Sequence, residues 1–178
     1  MTILSHIQQL LEEKGLACAL MVATPVIPYD RLLLFWGDER HTEDFLEITT
    51  QAQQIESPVA TGRVEGAYYL LQFQYILPFK VSVSTFSQVS SSLHFFNRLL
   101  HCPGFELDEL SDQILYRYAW FIKDSGIDSF LLMQVLGSLQ LCVRMFSPYI
   151  KDIAEGRYTL EEVLEKVVQL TKQPPSKF

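Results

Sequence analysis

The stretch from Asn97 to Tyr118, NRLLHCPGFELDELSDQILYRY, constrains the fold of this chain more than any other. A strongly apolar helix runs into a tight Pro103-Gly104 turn, then a short strand over 105–108, an acidic turn and a long aromatic strand over 113–123. Helix, turn and hairpin in that order need an antiparallel sheet with helices laid on it, and they carry no nucleophile elbow and no phosphate loop.

The remaining elements fit the same frame. Ile3, Ile7, Leu10 and Leu11 form one stripe of a helix over 2–14, with Thr2 or Ser5 as its cap and Gly15 as its stop. Strands are expected over 17–23, 31–37 and 43–51, the first two separated by a turn holding Pro25 and Pro28. In a further strand over 67–77, Tyr69, Leu71, Phe73, Tyr75 and Leu77 share one face while Gln72 and Gln74 point the other way, and Pro78 ends it. A second helix over 84–101 carries Phe86, Val89, Leu93, Phe96 and Leu100 on one stripe, widened by Phe95 and Leu99.

The helix over 129–154 is apolar nearly all round. Leu132, Leu136, Leu139, Val143 and Phe146 make a continuous stripe, and more apolar residues flank it. One sheet covers only one side of a helix, so this stripe is expected to serve core and dimer packing together. Pro148 is expected to kink or restart the helix. A last helix starts at Thr159, where Thr159 and Glu162 form a capping-box pattern. The expected order is α-β-β-β-β-α-β-β-α-α: an α+β fold, one domain over 1–172, with a long loop at 52–66 and a flexible tail at 173–178.

Bulk properties narrow the function classes. The chain has 178 residues and a net charge of −7, which opposes binding to a phosphate backbone and suits a basic or amphipathic protein partner. Mean hydropathy of +0.12 is high for a soluble monomer and points to apolar surface buried against a copy or a client. The three cysteines, Cys18, Cys102 and Cys142, sit in apolar settings and read as filler in a reducing cytoplasm. The N-terminus lacks the positive region and cleavage site of a secretion signal. The uncharged run from Phe130 to Val143 is shorter than the roughly 20 residues a membrane span needs, so no insertion is expected.

Candidate chemistry is sparse. His94 and His101 lie two helical turns apart, and His6 and His41 have no partner at ligand spacing, so neither a metal nor any other cofactor is expected. Glu106, Asp108, Glu109 and Asp112 cluster at a hairpin turn and read as turn formers. Arg117 is placed to pair with Glu106 or Asp108 across the hairpin, or to stack on Tyr116 or Tyr118. Tyr69, Phe73, Tyr118 and Trp120 are the candidates for the small-molecule pocket of a regulatory or ligand-sensing domain, the alternative to a protein-binding module. No set of convergent polar groups marks an enzyme.

The residues Asn97, Gly104, Phe105, Leu107 and Asp108, then Leu115 to Tyr118 and the long helix, resemble the YbjN-like family over roughly residues 1–155. That family is related in fold to the small type III secretion chaperones. The resemblance implies a small, acidic homodimer that wraps an extended client segment on apolar patches. The 52–66 loop and the last helix are additions to the compact chaperone pattern, and either could occlude a client groove.

Overall fold

The computed structural model describes residues 2–37, 44–53, 68–123 and 126–165. The elements are α1 (Ile3–Glu13), β1 (Cys18–Met21), β2 (Arg31–Phe35), β3 (Phe45–Gln53), β4 (Tyr68–Lys80), α2 (Phe86–Leu99), β5 (Phe105–Asp108), β6 (Gln113–Lys123) and α3 (Ser129–Ala154). A short 3-10 turn, Val83–Thr85, leads into α2, and a further helix is described over 160–165. The six strands form one antiparallel sheet in the order β1-β2-β3-β4-β6-β5, which makes the fold α+β. Residues 54–66 of the expected loop and the expected tail at 173–178 lie outside the described residues; 52 and 53 belong to β3.

Local chemistry explains most boundaries. The Thr2 hydroxyl accepts from the Ser5 N–H at 3.1 Å and caps α1, and Gly15 at φ +73° takes the left-handed conformation that stops it. Leu4 joins Ile7 and Leu11 on the buried face of α1, whereas Ile3 and Leu10 of the expected stripe are only half-buried. Asp128 caps α3 by accepting from Leu131 N–H at 2.9 Å.

Two expectations about proline are corrected. β4 does not end at Pro78. It runs to Lys80 through a bulge, because Ile76 pairs with Leu115 but Lys80 pairs with Gln113, and Pro78 sits where no ladder hydrogen bond is needed. α3 likewise does not restart at Pro148 but runs through it as one helix. Pro148 is on the exposed side, where a carbonyl left without its N–H partner meets water.

The sheet has two unlike faces. Leu32, Ile48, Phe73 and Tyr118 lie side by side in register on one, and with Leu34, Leu46, Leu71, Ile114 and Tyr116 they meet the buried stripes of α1, α2 and α3 in one core. The other face carries Leu33, Glu47, Gln74 and Arg117 in the adjacent row, and no described helix packs on it. At 26 residues α3 is also long and apolar enough, by length and composition, to cross a membrane, which the shorter run Phe130 to Val143 did not suggest. Its stripe from Leu132 to Ala154 is packed into the core.

Candidate functional site

The stripe expected to serve core and dimer at once is core alone. Leu132, Leu136, Leu139, Val143 and Phe146 are all buried, none more than 9% exposed, beneath this chain's own sheet and α2. The expectation that they face a second subunit is corrected, because the sheet takes up the whole stripe. What the sheet does not reach is the row on the far side of the cylinder, where Leu141 and Met145 remain 60% and 50% exposed and Phe130 also faces out.

That row forms one wall of a groove. The last turn of α2 and the chain leaving it form the other, so Leu99, Leu100, Cys102, Leu141, Met145 and Phe146 surround a cavity of about 270 Å³. Leu99 is 54% exposed and, with Leu141 and Met145, gives the groove an apolar rim. A chain leaving a helix is normally the least fixed part of such a wall; here it is pinned. Leu100 turns to extended backbone, and the Asn97 side chain then holds the turn, accepting from Gly104 N–H at 3.1 Å and Phe105 N–H at 3.0 Å and donating to the Phe105 carbonyl at 2.8 Å. Gly104 is required by close approach. A Cβ there would stand 2.3 Å from the Arg117 carbonyl oxygen.

Beneath the groove an aromatic cluster fixes both helices to the hairpin. Phe146 packs on Phe96 with ring centroids 4.9 Å apart, and Phe105 on Tyr116 at 4.7 Å. The Tyr116 hydroxyl donates to the Cys102 carbonyl, and burial pushes its ionisation well above the ordinary tyrosine range. Burial also raises the Cys142 thiol, so the sulfur on the groove wall is a neutral packing group and a poor nucleophile. Among the described residues no group of three or more His, Cys, Asp or Glu is placed to hold a metal ion. The groove offers apolar shape and little reactive chemistry.

The four residues expected to line a pocket come together on the core face of β4 and β6. Phe73 lies opposite Tyr118, with centroids 6.3 Å apart, Leu71 opposite Trp120 and Tyr69 opposite Ile122. Phe73 is fully buried and the other three are half-buried against the core. They form a wall of the core and line neither the groove nor the sheet-face cavity described below. Burial, with a hydrogen bond to Cys102, raises the Tyr118 hydroxyl in the same direction as Tyr116.

At the hairpin Arg117 pairs with Glu106 at 2.7 Å. It cannot stack on Tyr116 or Tyr118, whose side chains leave the opposite face of the strand. Asp108 accepts from Leu110 N–H at 3.0 Å and Ser111 hydroxyl at 2.6 Å, and these bonds hold its carboxyl below the usual range. His41 lies outside the described residues.

The sequence reading missed the groove because Leu99 and Leu141 stand on separate helices. Leu99 flanks the buried stripe of α2, whereas Leu141 lies on the far side of α3 from its stripe, where a large apolar residue is itself the signal.

No protein-family model and no curated protein matches the chain. A solved structure described as an uncharacterized protein from Methanothermobacter thermautotrophicus is similar at 13% identity and a TM-score of 0.48, over 86% of this chain and 99% of that one.

Proposed function

We propose that this chain is a non-enzymatic protein-binding module that works as a cytoplasmic homodimer and holds an extended client segment in the manner of the type III secretion chaperones. The observation that carries the reading is the apolar rim formed by Leu99, Leu141 and Met145 around the α2–α3 groove. Exposed large apolar side chains gathered in one cleft are a feature of surfaces that bury against a partner. A second copy of the chain is the occupant assigned to this groove.

The client goes elsewhere. β1 is an edge strand paired only with β2, and exposed Met21 and Val22 lie at its end, which suits the addition of an extended segment. The opposite edge, β5, is less open because Asn97 occupies its backbone groups at Gly104 and Phe105. The YbjN-like resemblance supports the same reading. The net charge of −7 favours a basic or amphipathic client over nucleic acid, and the reading needs neither a cofactor nor membrane insertion.

Light scattering after size exclusion, on wild type and on Leu141→Asp, tests this. A wild-type dimer and a folded monomeric variant are expected, with far-ultraviolet circular dichroism unchanged. A wild-type protein that stays monomeric at high micromolar concentration overturns the dimer.

A further inference from the structure

We propose that the open face of the sheet carries a binding site for a neutral saccharide. On that face, over β3 and β4, lies a cavity of about 430 Å³ lined by Tyr29, Glu47, Thr49, Gln51, Gln72 and Gln74. Its volume is within the range of small-molecule sites, roughly 300–1,000 Å³. The register builds it: Glu47 is opposite Gln74 and Thr49 opposite Gln72, so four polar side chains form a flat two-by-two array. Tyr29, half exposed, comes from the β1–β2 connection and supplies an aromatic ring beside the array.

Three features fix the class of ligand. The first is charge. Among the described residues Glu47 is the only charged one in the lining, and Arg31 pairs with it at 2.9 Å from the neighbouring strand. A phosphorylated ligand would need an uncommitted cation, and a metal would need more than one paired carboxylate. The second is polarity: an acyl chain would strip water from carboxamides and hydroxyls and return no hydrogen bonds. The third is topology. β3 and β4 are interior strands with both edges occupied, so an extended peptide cannot add to them through its backbone.

Recognition at this site therefore rests on side chains alone. Gln72 Nε2 donates to Gln74 Oε1 at 3.4 Å, a long bond that leaves the Gln72 oxygen and the Gln74 amino group without a partner among the described residues. A carboxamide presents a donor and an acceptor in one plane, the complement of two neighbouring ring hydroxyls. The Tyr29 ring suits the apolar C–H face of the same sugar. This site is on the face of the sheet away from the α2–α3 groove, and it stands whether or not the protein dimerises there.

The test is a titration of the labelled protein with maltose, cellobiose and N,N′-diacetylchitobiose, followed by amide resonances that include the glutamine side chains. Saturable shifts are expected from at least one sugar, confined to β3, β4 and the side-chain amides of Gln72 and Gln74. Gln74→Ala and Tyr29→Ala should each weaken binding about tenfold, the effect of losing one good contact. Tyr29 is exposed and Gln74 half-buried, and resonances far from the site report that the variants remain folded. Leu141→Asp should bind the sugar as wild type does, which separates this site from the groove. The proposal is overturned if none of the three sugars gives a saturable shift, if the double variant binds undiminished, or if a polar peptide displaces the sugar and binds more tightly.

Discussion

Phe73 and Gln74 are neighbours on β4, yet one is fully buried and the other only half-buried. The same contrast repeats across the sheet, with Ile48 beside Glu47 on β3 and Tyr116 beside Arg117 on β6. The covered face is a continuous apolar layer. The open face mixes a polar array with apolar neighbours, and it carries the ion pairs Arg31–Glu47 and Arg117–Glu106. One face is thus committed to the core, while no described helix packs on the other. The two differ by a single residue step, because alternate side chains of a strand leave opposite sides.

The sharpest way to break this contrast is to truncate one residue on each face. Phe73→Ala should cost about 3–5 kcal/mol, since it empties a ring-sized space in a core that three helices close. Gln74→Ala should change stability by no more than about 0.5 kcal/mol, as most surface substitutions do. Urea unfolding of both variants measures the difference. Equal costs would mean that the open face is buried by something that also contributes to folding.

Long periodic segments made much of this division legible in the sequence. The spans 105–108, 113–123 and 129–154 agree with β5, β6 and α3, because period and length act together there and Pro148 does not interrupt the packing stripe. The alternation in β4 already separated Gln72 and Gln74 from the core residues. Its end at Lys80 was not legible, because a bulge that accommodates Pro78 depends on β6, more than thirty residues on. The groove was not legible for a related reason. A stripe shows which side of a helix is buried, but not which exposed apolar residues of two helices meet, so the pairing of Leu99 with Leu141 and Met145 appears only once α2 and α3 are side by side.

Alkaline pH gives a smaller but more selective probe of the covered face. Burial raises the ionisation of both Tyr75 and Tyr116, and a hydrogen bond to Asp44 adds to it at Tyr75. Above about pH 10, where an unfolded tyrosine loses its proton, the native state still holds these two protons. Their contribution to stability is complete below that pH and falls as pH rises beyond it. Tyrosinate absorbance from this pair should appear only together with loss of circular dichroism, and Tyr116→Phe should flatten the alkaline fall. Tyrosinate that forms at these positions in a still-folded protein would show that the covered face admits water.

The smallest expected effects compare the two ion pairs of the open face, and they test how enclosed its centre is. Arg117 and Glu106 meet at 2.7 Å near the β5 edge with side chains 48% and 43% exposed. Arg31 and Glu47 meet at 2.9 Å beside the proposed sugar site with side chains only 25% and 20% exposed. Water and salt screen the first pair more, so double-mutant cycles should give it about 0.2–0.5 kcal/mol and a near-complete loss at high salt. The second should reach about 1 kcal/mol and keep more of it in salt, because its surroundings exclude solvent. If the Arg31–Glu47 coupling proves as weak and as salt-sensitive as the other, Glu47 is not held by its partner. The cavity would then carry a free negative charge, and the argument for a neutral ligand would lose its first premise.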